Sequence, residues 1–252
     1  MKTFDSMITL YGRMPVLELL EDFSTTIFRL HLAESNADAD IMRRIITLAQ
    51  NRNIEIVHHT KQALSRISKS GRQDQGVAID VKPDHYLSLN DLGLSLPGPD
   101  GAAFDVIALD RVTNPQNLGM IIRSVAASPI NGLLLPKKGC AKIDPLVHKA
   151  SAGTLIKAPI FHCPTIVDGL KQLKKEGFEI FGLDGNATRS MTALGKGRGQ
   201  RRAFVLGNES QGLSYEVKAL CDDLIKIPIS NKVESLNVAA AATLVAFHSI
   251  YQ

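Results

Sequence analysis

The segments FDVIALD, residues 104–110, and NPQNLGMIIRS, residues 114–124, follow each other closely in this chain. The first is an apolar run with the length of a buried strand, and the second begins with Asn-Pro, a frequent start of a helix. The turn between a strand and a helix is where α/β enzymes commonly place functional side chains. Asn117 and Arg123 are therefore candidate site residues.

The chain after residue 104 continues this alternation of strand and helix. Such alternation predicts a mostly parallel sheet that binds ligands at the carboxyl ends of its strands. Two polar loops, residues 208–212 and 231–237, follow predicted strands there. The alanine-rich segment from residue 235 is predicted to be a helix that is capped by Ser235 and packs closely on another backbone. Strands are predicted at DVIALD, NGLLLP, IKAPIF, FEIFGLD, RAFVLG and LIKIPI.

The chain before residue 104 is predicted to hold a separate unit. Residues 11–82 alternate strand-like and helix-like patterns, which predicts a small α/β domain. Glycine and proline are concentrated in the segment that follows. We therefore predict a first domain over residues 1–84, a linker over 85–103 and a second domain over 104–252.

Composition is that of a soluble globular protein, with 44% hydrophobic and 21% charged residues. There is no apolar run of the roughly 18 residues that span a membrane, and the N-terminus does not resemble a signal peptide, so a cytoplasmic protein without membrane contact is expected. Cys140, Cys163 and Cys221 are widely spaced, which predicts free thiols and no metal site.

Positive charge is distributed unevenly. Residues 1–84 hold 11 basic and 11 acidic side chains, so the net charge of +4 lies entirely in the remainder. Two local runs are basic: residues 61–73 carry four cations and no acid, and residues 196–202 carry four cations in seven positions. Such runs suit nucleic-acid phosphates, although most charge clusters are solvated surface.

Common nucleotide and hydrolase motifs do not occur. The run GKGRG, residues 195–199, lacks the spacing of a dinucleotide-binding loop and follows no predicted strand. A P-loop and a G-x-S-x-G nucleophile elbow are absent from the sequence.

Three segments together identify a family. NPQNLGMIIRS, VLGNESQGLS and IPISNKVESLNVAAAATLVAF resemble, in order and spacing, the three motifs of the SpoU or TrmH class of SPOUT RNA methyltransferases. Residues 11–82 also resemble the substrate-binding domain of the RlmB-like branch. This resemblance implies a deep trefoil knot in the second domain, S-adenosylmethionine as methyl donor, RNA as partner and a homodimer.

The resemblance also assigns residues. Gly207, Ile227 and Leu236 match the donor-binding positions, with Leu206 and Pro228 as neighbours. A glycine permits close backbone approach, and apolar side chains can hold an adenine between them. Met120 and Ser210 depart from the small residues frequent at their positions, which leaves the shape of the pocket open.

The implied reaction is methyl transfer to a ribose 2′-hydroxyl, with Arg123, Asn117, Glu209, Ser235 and Asn237 as catalytic residues. An arginine remains protonated near neutral pH, so anchoring a phosphate and stabilising the oxyanion is the favoured role of Arg123, and deprotonation by it is the alternative. Purely structural roles are the alternatives for three of these residues: a helix cap for Asn117, a position in a first helical turn for Asn237 and a surface ion pair for Arg123.

The sequence leaves more than one target RNA open. The RlmB-like layout implies large-subunit ribosomal RNA, with guanosine as the nucleotide, while a transfer RNA remains an alternative. Two rivals on the same fold are a non-catalytic RNA-binding assembly factor and a base methyltransferase.

Overall fold

A computed structural model describes residues 7–36, 39–69, 71–82, 86–94, 96, 103–195, 200–231 and 233–250. The first domain is a four-stranded sheet with three helices. Its strand order is β1-β4-β2-β3, in which β2 and β3 are parallel and the other pairs are antiparallel. The elements are β1 Ile8–Tyr11, α1 Arg13–Glu21, β2 Thr26–Ala33, α2 Asp40–Asn51, β3 Glu55–His59, α3 Lys61–Ser68 and β4 Val77–Lys82.

The second domain is an α/β layer structure around an eight-stranded sheet, in which every described strand pair is parallel. The predicted α/β class with a parallel sheet in the second domain is confirmed. The strand order is β10-β12-β9-β11-β6-β7-β8-β5. The elements are β5 Tyr86–Ser88, β6 Phe104–Leu109, α4 Pro115–Ala127, β7 Gly132–Pro136, α5 Pro145–Ala150, β8 Ile160–Cys163, α6 Ile166–Lys175, β9 Glu179–Leu183, β10 Arg189–Ser190, β11 Arg201–Leu206, α7 Tyr215–Lys218, β12 Asp223–Lys226 and α8 Val238–Phe247.

Part of the predicted linker belongs to the second domain. Strand β5 extends the large sheet at its edge, where Leu87 pairs with Phe161 of β8. A 3₁₀ turn, Leu89–Leu94, follows it. Residues 85, 95 and 97–102 of the predicted linker lie outside the described residues.

One cation of the second basic run lies in the interior. Residues 196–199 lie outside the described part of the chain. Arg202 is buried, and its guanidinium donates to both carboxylate oxygens of Asp105 at 2.8 and 2.6 Å. Arg202 is therefore committed to an internal ion pair and is not available to RNA, so this residue does not contribute to the basic surface that the run suggested.

The two domains share a core. One continuous apolar cluster includes Leu10 and Leu20 of the first domain and Val147 and Leu155 of the second. Helix α5 contacts both α1 and β1. No helix among the described residues is long and apolar enough to cross a lipid bilayer.

Close packing of α4 against α5 fixes the helix that carries the first motif. Gly119 lies at this contact, where an added Cβ would be 2.6 Å from the carbonyl oxygen of Val147 and also in collision with the Ala150 methyl group. Only glycine allows the two backbones to approach this closely.

We expect Gly119→Ala to lower the free energy of unfolding by about 1–3 kcal/mol, because the overpacked contact outweighs the helix propensity of alanine. Gly195→Ala is the matched control, since a Cβ there meets no atom within 4 Å. Urea denaturation of both variants measures the effect. Equal stability of the two variants would contradict the assigned role of Gly119.

Candidate active site

The first motif begins α4 with a defined cap. The Asn114 side-chain oxygen accepts hydrogen bonds from the backbone N–H groups of Gln116, at 2.8 Å, and Asn117, at 3.3 Å, and Pro115 occupies the first helical position. This arrangement satisfies N–H groups that a helix start leaves unpaired. Asn114, and not Asn117, is therefore the cap, which leaves the Asn117 side chain free for other contacts.

Asn117 joins the three predicted loops. Its side chain is buried, its Nδ2 donates to Glu209 Oε1 at 2.6 Å, and its Oδ1 accepts from Asn237 Nδ2 at 3.1 Å. An amide can donate and accept at once, so a single side chain connects a carboxylate 92 residues away to another amide 120 residues away. The structure thus brings Asn117, Glu209 and Asn237 together.

Asn237 also begins the last helix. Its Oδ1 accepts from the backbone N–H of Ala239 at 2.8 Å, and α8 starts at Val238. The prediction that Ser235 caps this helix is wrong, because Asn237 provides the side-chain oxygen at the correct position. Ser235 lies two residues earlier, with an exposed side chain on the wall of a cavity.

Loop 207–212 is held in a tight reversal. Asn208 and Gly212 exchange two backbone hydrogen bonds, at 3.0 and 2.9 Å. A Cβ on Gly207 would lie 2.5 Å from the backbone nitrogen of Leu213. Glycine is therefore required at 207 by the approach of the loop to itself, whereas sequence reasoning explained it by approach to a ligand.

Arg111 and Asp110 clamp this loop, and sequence reasoning missed both. The Arg111 guanidinium donates to Gln211 Oε1 at 2.7 Å and to the Gly212 carbonyl at 3.0 Å, and the buried Asp110 accepts from the backbone N–H of Ser214 at 2.6 Å. Arg111 adopts a left-handed backbone conformation with φ of 59°. An Asp-Arg pair directly after a buried strand is the signal that could have indicated them.

A cavity of about 490 Å³ lies beside these loops. Its walls include the predicted donor-binding residues Leu206, Gly207, Ile227 and Leu236, but not Pro228. The cavity is also lined by Leu183, Asp184, Gly185, Asn186, Asn208, Glu209, Ser210, Gln211, Gly212, Leu213, Lys218, Ile229, Glu234, Ser235, Val238 and Ala241. Ser210 thus contributes to the pocket, whereas Met120 lies on the exposed surface of α4, with 42% of its area accessible.

Asp184 presents a fixed charge to this cavity. Lys218 Nζ donates to Asp184 Oδ2 at 2.6 Å, and this hydrogen bond is the main reason why the pKa of Asp184 is lower than its ordinary value. The carboxylate is therefore ionised at neutral pH.

Arg123 is placed differently from the other predicted catalytic residues. Its side chain is exposed and forms no hydrogen bond or ion pair with any residue that the structure describes. Six residues separate it from Asn117, so the two side chains point about 120° apart around the helix. Within one chain, Arg123 is not directed into the Glu209–Asn117–Asn237 network.

Family models match both domains. Residues 105–247 match the SpoU rRNA Methylase family, and residues 9–87 match the model described as RNA 2′-O ribose methyltransferase substrate binding. The chain belongs to the SpoU methylase family. The family predicted from the three motifs is therefore confirmed.

Individual relatives agree with this assignment. A Mycolicibacterium vanbaalenii protein named "uncharacterized tRNA/rRNA methyltransferase" is 32% identical over 97% of this chain and 76% of its own length. The crystal structure of the SpoU methyltransferase AviRb from Streptomyces viridochromogenes, in complex with AdoMet, aligns over 100% of this chain and 92% of its own, with TM-score 0.69 and 23% identity. An AdoMet-bound rRNA methyltransferase from Sinorhizobium meliloti aligns over 98% of this chain and 88% of its own, with TM-score 0.69 and 20% identity.

The three cysteine thiols of this chain have raised pKa values. Burial raises the pKa of Cys140 and Cys221 to about 11 and that of Cys163 to about 12, so the thiols are protonated near neutral pH. Among the described residues, no group of three or more His, Cys, Asp or Glu side chains could hold a metal ion. The groups present in the network are the Glu209 carboxylate and the side-chain amides of Asn117 and Asn237.

Replacing Asn117 tests the bridge that it forms. Asn117→Asp would put a second carboxylate against Glu209, and because both cannot easily be ionised, the pair should bind a proton with a raised apparent pKa. We expect methyl transfer about a hundredfold below the parent at neutral pH, with a partial recovery as the pH falls and a shared proton restores the hydrogen bond.

Single-turnover rates from about pH 6 to pH 9 measure this effect, with Asn117→Ala as the control that holds no second carboxyl group. If the two variants show the same pH dependence, the Asn117–Glu209 contact does not organise the site.

Proposed function

We propose that this SpoU-family chain transfers a methyl group from S-adenosylmethionine to a ribose 2′-hydroxyl of large-subunit ribosomal RNA. The observation that carries the proposal is the hydrogen-bonded network Glu209–Asn117–Asn237, in which Glu209 also lines the cavity. The family model matched by residues 9–87, with its 2′-O ribose description, supports ribose as the acceptor.

The cavity fits a nucleoside-containing donor. Its volume of about 490 Å³ is in the range of small-molecule sites. Leu206, Ile227 and Leu236 supply apolar walls for an adenine, and the backbone of loop 207–212 supplies hydrogen-bonding groups. When bound, the donor supplies a methyl group on a positively charged sulfur.

The ribose 2′-hydroxyl is a poor nucleophile, so protein side chains must orient it and stabilise its developing charge. In the transfer that a bound donor would support, the ribose oxygen would take the methyl group, the sulfur would leave with the electron pair of the carbon–sulfur bond, and the hydroxyl proton would pass to water. The ribose is oriented by four side chains, those of Glu209, Asn117, Ser235 and Asn237. Arg123, which stays protonated, holds an adjacent phosphate and stabilises the negative charge that develops on the oxygen.

The proposed target is testable in cells. Mapping of 2′-O-methyl sites in RNA from cells with and without this protein should show the loss of one modification in large-subunit ribosomal RNA. Re-expression of the parent should restore it, and Asn117→Ala should not. Loss of a transfer RNA modification would move the target to that class, and no lost modification would contradict the proposal.

A homodimer is proposed from the surface formed by α4 and α8. Helix α8 is apolar all round apart from Thr243, whose hydroxyl lies 2.7 Å from that of Ser124 on α4. Leu244 and Met120 are nevertheless 45% and 42% exposed. A helix without a polar face is normally buried, so this α4–α8 face is suited to a second copy of the chain.

Arg123 connects the dimer to catalysis. It is exposed on α4, on the same side as Met120, and points away from the network of its own chain. We propose that it acts on the site of the partner subunit, which would explain why it forms no hydrogen bond or ion pair with the described residues of its own chain.

Heterodimers of Arg123→Ala and Asn117→Ala test this arrangement. If arginine acts across the interface, one of the two sites in a heterodimer is intact, and the rate should be about half that of the parent. Two affinity tags allow the mixed species to be purified, and each single-variant homodimer is the inactive control. A heterodimer as inactive as these homodimers would place Arg123 in the site of its own chain.

A further inference from the structure

A second large cavity lies between the two domains. It has a volume of about 760 Å³ and is lined by β1 and the end of α3 on one side and by residues 135–146 on the other. Among the described lining residues, three are lysines, Lys69, Lys137 and Lys142, and one is acidic, Asp144. Asp144 Oδ1 accepts from the Val147 backbone N–H at 3.0 Å, as the cap of α5. We call this cavity the interdomain cleft.

Lys69 enters the cleft from the first domain. It ends α3 in a left-handed conformation, with φ of 55°, and its exposed side chain has no hydrogen bond or ion pair with the described residues. It also lies within the acid-free basic run of residues 61–73. Its charge is therefore available to a ligand.

Lys137 and Lys142 enter from the second domain, in a loop attached to the first motif. The Ala141 backbone N–H donates to the Val112 carbonyl at 2.9 Å, and the Cys140 thiol lies 3.5 Å from the Leu109 carbonyl. The segment 109–112 leads directly into the NPQN turn. The lysine side of the cleft is thus tied to the backbone that precedes Asn117, at the carboxyl edge of the parallel sheet.

Another cleft between the same domains has the opposite charge. It is lined by Glu18, Glu21 and Asp22 together with Lys157 and the buried His148. Desolvation lowers the pKa of His148, which keeps this imidazole neutral near pH 7. A polyanion would be repelled there and attracted to the lysine-lined cleft.

We propose that the interdomain cleft binds the sugar-phosphate backbone of the RNA beside the target nucleotide, with Lys69 and Lys142 each contacting a phosphate. This inference rests on the proposed function and adds the path by which RNA reaches the site. An RNA strand that lies between the domains would contact the first domain through its phosphates. Its target ribose would then face the site of the second domain.

The salt dependence of RNA binding distinguishes the loss of a phosphate contact from a general loss of RNA affinity. Lys69→Asn removes the charge and retains a residue that tolerates the left-handed conformation. Lys142→Ala removes the second charge, and Lys175→Ala, at an exposed position of α6 outside the cleft, is the matched control. The probe is a fluorescein-labelled RNA stem-loop of mixed sequence, titrated by anisotropy at several salt concentrations.

Each cleft variant should reduce the slope of log affinity against log salt by roughly 0.7–0.9, and the double variant by about twice that. Affinity for S-adenosylmethionine should stay at the parental value. Slopes equal to those of Lys175→Ala, in a protein whose parent methylates RNA, would overturn the cleft assignment alone. A parent that neither binds nor methylates RNA would overturn the proposed function, and the cleft assignment with it.

Discussion

The candidate site depends on the two hydrogen bonds that the side-chain amide of Asn117 forms. It holds Glu209 at 2.6 Å and Asn237 at 3.1 Å, and those residues belong to loops that are distant in the sequence. Because Asn237 also caps α8, the same bridge links the loops of the candidate site to the start of the last helix. Asn117 is the buried member of this network, whereas Glu209 and Asn237 are exposed, and each of the two amides both donates and accepts a hydrogen bond.

Two constraints keep that amide in place. Gly119 lets α4 approach α5, which sets the position of the helix on which Asn117 lies. Arg111 and Asp110 hold loop 207–212 and the following Ser214 against the end of β6, which sets the position of Glu209. The same edge of the sheet carries the lysine loop of the interdomain cleft. The cavity beside loop 207–212, the network and the interdomain cleft are therefore built on neighbouring strand ends, as expected for a parallel sheet.

Local patterns predicted the elements well, and contacts between distant segments account for the differences. The apolar run 104–109 and the Asn-Pro start of α4 were readable because they depend on neighbours in the sequence. Judged from sequence alone, Ser235 and Asn237 are equally good helix caps. In the structure Asn237 is the cap, and it also contacts Asn117. The burial of Arg202 and the clamp by Arg111 depend on partners 97 and about 100 residues away, which no local pattern contains. The knot remains a prediction from family resemblance.

The central claim is that methyl transfer occurs to a ribose oxygen. The most direct measurement incubates the parent protein with RNA and S-adenosylmethionine that carries a trideuterated methyl group, followed by digestion to nucleosides and mass spectrometry. The account predicts the heavy methyl group on the ribose fragment, with an unlabelled base fragment. Label on the base fragment, or no label in any nucleoside, would contradict it.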